Sequence, residues 1–301
     1  MFRLRRPKQV KEYEAAGEIE RIYHEIQETL RVTGVNLNFR IWARYEKFFP
    51  VMWEAVRPNV ETRFFENAAD QLRAEAVYIA ERWARPGITS RVPLGESQRY
   101  HIQAALMLYH YINPKLLLIR SSIKLALDGE SIRQVSAGSP LELIARGAPA
   151  KMYPMEMVAE KPPDKRLRNL FDDIKQTLSL SSINSDYRTL ALWPDYLAAA
   201  WAWLKLFIES EEYRLASNSL REMARALARS LPHAVPLSYE RVQDLGENIS
   251  EVVKTTEQFE ALLPSLIINI TLLGLDWYTP EEYARSPFPA EPRPPAQGIK
   301  E

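Results

Sequence analysis

The chain has 301 residues, with 39 lysines and arginines against 39 aspartates and glutamates, and no cysteine. The charge balance excludes a molecule-wide field that would draw it to nucleic acid or an anionic membrane. The missing thiols exclude disulfides, thiolate nucleophiles and cysteine-ligated metals. With 46% hydrophobic residues, seven tryptophans and only ten glycines, it has material for a large core. Strand-like alternation is scarce, which predicts an all-α fold.

The basic start, Arg3-Leu4-Arg5-Arg6, reads as a solvated arm, and no apolar signal segment accompanies it, as expected of a cytoplasmic protein. The first helix is predicted from about Gly17 to Arg31, with Ile19, Ile22, Tyr23, Ile26 and Leu30 on one face. A loop around Val32–Asn38 follows. The next helix carries Trp42, Tyr45, Phe49, Met52, Trp53 and Val56 at the spacing of a buried stripe. A long helix, about Glu61–Arg85, ends before the connector Pro86–Pro93, and an apolar segment with an internal proline, Pro114, comes next.

The pattern then recurs. Residues 22–80 and 170–228 align without a gap at an offset of 148, with thirteen identities over 59 positions. Among the identities are Thr29/Thr177, Asn36/Asn184, Arg40/Arg188, Trp53/Trp201 and Arg73/Arg221. The second stripe is Leu190, Trp193, Leu197, Ala200, Trp201 and Leu204, and a long helix, about Glu209–Ser230, follows. Pro264 matches Pro114 at an offset of 150. The period is too long for a solenoid of ~20–50-residue units. The expected architecture is two tandem similar helical repeats forming an intrachain pseudo-dimer. Its parts are an arm (1–16), repeat one (17–127), a linker (128–165), repeat two (166–278) and a Pro-rich tail (279–301) expected to be extended or disordered beyond Pro289. The most apolar stretch, Leu262–Leu275, falls short of the ~18 residues of a membrane span and reads as a buried core helix.

Four histidines are too scattered for most hydrolase schemes. No HExxH, GxSxG, P-loop or GxGxxG is present, and no acid/histidine cluster has metal-ligand spacing. No metal or cofactor is therefore expected. His110, beside Tyr111, reads as a satisfied helix histidine.

The informative positions are those where the repeats disagree in chemistry. Ser181 to Arg188 opens the Trp201 helix, and Asn, Ser and Asp there cap free N–H groups in the plainest reading. A helix start also gathers an anionic ligand. Two such starts, Asn36-Leu37-Asn38 and Asn184-Ser185-Asp186, are expected to face one pocket, to which only Asp186 brings a carboxylate. Asn113 precedes Pro114 where the other repeat has Leu263, so the amide is not required by the proline.

On these residues the chain resembles the group I 2-haloacid dehalogenases, the DehI family. The likeness covers most of residues 17–289. It rests on Thr29-Leu30-Arg31-Val32, Arg40, Trp53, Asn113-Pro114-Lys115, Ser185-Asp186, Trp193-Pro194 and Ser286-Pro287-Phe288-Pro289. The resemblance implies hydrolytic removal of halogen from the α-carbon of a small carboxylic acid, with Asp186 as the base and Asn113 as its water-positioning partner. The water attacks from behind the halogen and inverts the centre. Backbone N–H groups near 37–38 and 185–186 would suit the carboxylate.

Departures from the family pattern are Gly34 for a pocket Trp, Leu37 for a pocket Phe, Thr256 for a pocket Tyr, and Asn38 for a small residue. The first three are expected to widen the pocket, and Asn38 to narrow the carboxylate site. Asn184 leans toward D-2-haloacids. The competing expectation is a non-catalytic helical protein that binds small carboxylates or acts as a scaffold, with Asp186 only a cap. Exposed aromatics such as Tyr13 or Phe64 leave a homo-oligomer open.

Overall fold

The computed structural model describes residues 9–132, 141–154 and 156–294. The basic Arg3–Arg6 start, part of the 128–165 linker and the end of the tail lie outside these. The described residues are all-α: thirteen α-helices, a short 3-10 turn (Glu12–Glu14), and two isolated antiparallel bridges in place of any strand. In order the helices are α1 (Gly17–Leu30), α2 (Leu37–Trp42), α3 (Phe48–Val60), α4 (Arg63–Ala80), α5 (Ile88–Arg91) and α6 (Glu96–Leu127). Then come α7 (Lys165–Thr177), α8 (Ser185–Leu190), α9 (Pro194–Ile208), α10 (Glu211–Arg229), α11 (Tyr239–Asp244), α12 (Ile249–Gly274) and α13 (Pro280–Tyr283).

Local structure recurs at the offset read from the sequence. Among the described residues two non-glycine residues have left-handed φ, Arg31 (60°) and Ser179 (53°), and they stand 148 positions apart at the ends of α1 and α7. Trp53 Nε1 donates to Glu25 at 3.0 Å, and Trp201 Nε1 donates to Asp173 at 2.7 Å. Arg57 and Lys205 close the same two acids. Thr62 and Ser210 cap α4 and α10 through their hydroxyls.

The stripe expected on one helix is divided between two, α2 and α3 in the first run and α8 and α9 in the second. In the second run the cause is Pro194, the first residue of α9. The residue before a proline is kept out of the α region, and Trp193 sits at φ −120°, ψ 78°. Ser181–Arg188 therefore opens the short α8 and not the Trp201 helix.

Helices α6 and α12 pack on each other at the centre. Buried residues run almost without a break from Tyr109 to Ser122 and from Leu263 to Leu275. Helices buried all round in this way form the core, and among the described residues no helix is long and apolar enough to cross a membrane. Chain after α12 returns onto this core. The ring of Tyr283 lies directly against Gly274, where any Cβ would overlap it. The same ring stacks on His110 at 3.7 Å. His110 Nε2 is 2.6 Å from the Tyr283 carbonyl, and burial lowers its pKa to about 3, so it stays neutral. After α13 the tail is bound as far as Arg293, with Ile144 bridging to Pro292 and the Arg293 N–H donating to the Leu143 carbonyl.

Candidate active site

Asn113 stands in the middle of α6, one residue before Pro114. Asp186 is the second residue of α8. Although 73 positions apart, they meet: Asn113 Nδ2 donates to Asp186 Oδ1 at 2.8 Å, and both side chains are buried. Asn113 thus bonds a carboxylate rather than the backbone carbonyl that its proline frees.

Burial decides the acidity of Asp186. Taking a carboxylate out of water disfavours its charged form, and its pKa rises to about 6 although Asn113 and its own backbone N–H pull the other way. Such a group is ionised at neutral pH yet basic enough to accept a proton from water.

A cavity lies at this pair, lined by Asn36, Leu37, Asn38, Asn113, Leu116, Asn184, Ser185, Asp186, Phe259, Leu262, Leu263 and Leu266. The starts of α2 and α8 therefore do face one pocket. Capping does not explain their asparagines. Neither Asn36 nor Asn184 makes a side-chain cap hydrogen bond, and the Oδ1 of each is buried without a partner. By position the N–H groups of Leu37, Asn38 and Ser185 also lack intrahelical acceptors.

The cavity offers about 20 Å³ for the centre of a water molecule, room for about one water. The widening expected from the lost aromatics is not here, because Leu37, Leu116, Phe259 and the α12 leucines close around the acid. The space is next door. A cavity of about 250 Å³ is lined by Gly34, Arg40, Tyr109 and Ile112 and shares Asn36 and Ser185 with the small one. Another of about 520 Å³ shares Leu37, Asn184, Phe259 and Leu262.

Seven of the eight residues singled out from the sequence border this system: Asn113, Asp186, Asn184, Ser185, Leu37 and Asn38 at the acid, and Gly34 beside it. Thr256 does not. Its hydroxyl turns back to the Val252 carbonyl at 2.9 Å, and Phe259, one turn further on, takes the wall. Phe259, Leu262, Leu263 and Leu266 were missed. Their i, i+3, i+4, i+7 spacing beside Pro264 was the available signal.

The family profile described as "Halocarboxylic acid dehydrogenase DehI" matches residues 34–187. The chain is also 31% identical over 270 residues to an (R)-2-haloacid dehalogenase of Pseudomonas putida, covering 87% of this chain and 90% of the relative. The chain belongs to the DehI family. A configuration-inverting 2-haloacid dehalogenase of Pseudomonas sp. (strain 113) is 27% identical over 290 residues, covering 93% and 94%. Among solved structures, a D-2-haloacid dehalogenase in complex with L-LA superposes with a TM-score of 0.81 at 28% identity, covering 89% of this chain and 95% of that one.

Three of the segments that carried the DehI resemblance, Thr29–Val32, Asn113–Lys115 and Ser286–Pro289, meet one another. Tyr111 Oη and Lys115 Nζ both donate to the Leu30 carbonyl, at 3.1 and 3.5 Å. Arg31 donates to the carbonyls of Phe288 and Pro289 at 3.2 and 3.1 Å. Lys115 is fully buried, and desolvation lowers its pKa to about 8, a fall that the adjacent Glu66 carboxylate limits. Glu66, on α4, was not legible as part of this cluster. It braces α6 directly after Asn113-Pro114.

Proposed function

We propose that this DehI-family chain is a hydrolase of small 2-haloalkanoic acids, with Asp186 as general base and Asn113 as the partner that positions the attacking water. The carrying observation is the buried 2.8 Å contact between the two at a cavity with room for one water. Asp186 accepts a proton as the water oxygen bonds to the α-carbon. The carbon–halogen bond breaks on the opposite face, the halide leaves with its electron pair, and the centre inverts. Asp186 then returns its proton to solvent, so a 2-hydroxy acid, a halide and a proton balance the haloacid and water consumed. The N–H groups of Leu37, Asn38 and Ser185 suit the substrate carboxylate, with Asn38 crowding it from the side. The void beside Gly34 leaves room for the α-substituent.

Asn184 supports D selectivity. Its amide is buried at the cavity with an unpartnered oxygen, and the relatives include enzymes named for the (R)- or D-acids. The scaffold alternative has no support in a charged acid buried at a cavity, since a cap would sit better in water.

The recurrence of helices, caps, Trp–acid bonds and left-handed residues at one offset supports reading residues 17–127 and 166–278 as two repeats of an intrachain pseudo-dimer. On that reading the active site lies between the repeats, and each contributes one of its two polar partners.

The test is halide release from the D- and L-forms of 2-chloropropionate and 2-bromopropionate, with kcat/KM followed against pH. Release should be confined to the D-acids and should rise through pH 6 to a plateau. Turnover that survives in Asp186→Asn would remove Asp186 from its role.

A further inference from the structure

Four cations are buried among the described residues, and three are accounted for. Arg31 donates to two carbonyls, Arg73 to Asp70 and two carbonyls, and Lys115 to Glu66 and the Tyr111 hydroxyl. The fourth, Arg120 of α6, is fully buried, and its Nη1 and Nη2 have no partner. Its guanidinium lies over the ring of Trp42, whose Nε1 is also buried and unpartnered. Guanidinium and indole N–H groups are donors only, so neither satisfies the other. Three donor nitrogens on two buried side chains in contact thus lack an acceptor, and leaving such groups unpaired in the interior is costly.

The fold does not require this charge. At the 150-residue offset that relates Pro114 to Pro264, the place of Arg120 on α12 is taken by Ile270. The location is also pointed. Asn113, Leu116 and Arg120 share one face of α6 at i, i+3 and i+7, and helical side chains lean toward the N-terminus, here toward Asn113. The ring of Phe259 is 4.8 Å from the guanidinium carbon. The same side chain lines both the cavity at Asp186 and the 520 Å³ cavity beside it.

We propose that Arg120 and the Trp42 indole N–H form a receptor for one small monovalent anion, a halide or a carboxylate, reached past Phe259 from the adjoining cavities. The receptor stands on the unpartnered donors alone. Only its connection to turnover, in which an anion enters and two anions leave, rests on the proposed function.

The experiment is a thermal-unfolding series on the full chain at fixed pH and ionic strength. Sodium sulfate is replaced stepwise by sodium bromide, sodium chloride or sodium propionate. General salt effects are common to all variants, so the quantity read is the wild-type midpoint minus that of Arg120→Met. A bound anion stabilises the native state by mass action, and tenfold excess over Kd should give a saturable gain of roughly 2–4 °C. A gain with bromide and chloride alone identifies a halide site, and a gain with propionate identifies a carboxylate site. Trp42→Phe, which removes one N–H and keeps the ring, should need several-fold more anion for the same gain, and it serves if Arg120→Met does not fold. Curves for wild type and both variants that stay parallel in all three salts overturn the proposal. So does a saturable gain that persists undiminished without Arg120. Halide release from 2-chloropropionate by the same samples keeps the two readings apart: an intact anion response without turnover sinks only the proposed function.

Discussion

Asp186→Asn should make the protein more stable as it makes it inactive, and the gain should depend on pH. In the folded chain the Asp186 carboxyl has a pKa of about 6 against an ordinary 3.8, because burial outweighs the Asn113 hydrogen bond. That displacement is a factor of roughly 150 in proton affinity, on the order of 3 kcal/mol. Between pH 3.8 and 6 the native state holds a proton that the unfolded state has released, so stability falls as pH rises through this window. Above pH 6 the full penalty is present. An amide carries no charge to desolvate, and its Oδ1 can still accept from Asn113. The variant should therefore exceed wild type by up to about 3 kcal/mol at pH 8 and converge on it near pH 4. Urea denaturation at a series of pH values measures this directly. A variant no more stable than wild type at pH 8 would mean that Asp186 is not desolvated, and the argument for its basicity would fall with it.

Asn113→Leu places in α6 the residue that α12 carries at the matching position, so the helix should tolerate it. Turnover should drop by roughly 10²–10⁴-fold, and the acid limb of any residual activity should move above pH 6, since Asn113 is the side chain that lowers the Asp186 pKa. Asn184→Ala removes an amide that caps nothing. It should cost less than about 1 kcal/mol and admit the L-acids, read as halide release from L-2-chloropropionate; strict D selectivity in this variant would clear Asn184 of that role. Glu66→Gln strips the buried Lys115 of its carboxylate partner and should cost about 3–5 kcal/mol in urea unfolding, with activity lost in proportion to unfolding.

Much of this was legible because it is local. Helix α1 runs from Gly17 as its apolar spacing predicts and stops at Leu30, and the loop expected over Val32–Asn38 ends two residues earlier, at Asn36. Asp186 and Asn113 could be singled out by comparing the chain with itself, since each departs in chemistry from its counterpart 148 or 150 residues away. The division of the Trp42–Trp53 stripe was harder to see, because periodicity continues across a turn that keeps the same face buried.

The amino-acid order by itself determined the class of fold, the recurrence at one offset and the two polar residues worth pursuing. Each depends on spacing along the chain or on residue chemistry. Tertiary structure alone decided that Asn113 reaches Asp186, that Phe259 stands where Thr256 was expected, and that the space is in two adjoining cavities and not at the acid. It also brought Glu66 under Lys115 and left both Arg120 Nη atoms without an acceptor. These depend on how α4, α6, α8 and α12 come to rest against one another, and distances between residues far apart in sequence are fixed only by packing.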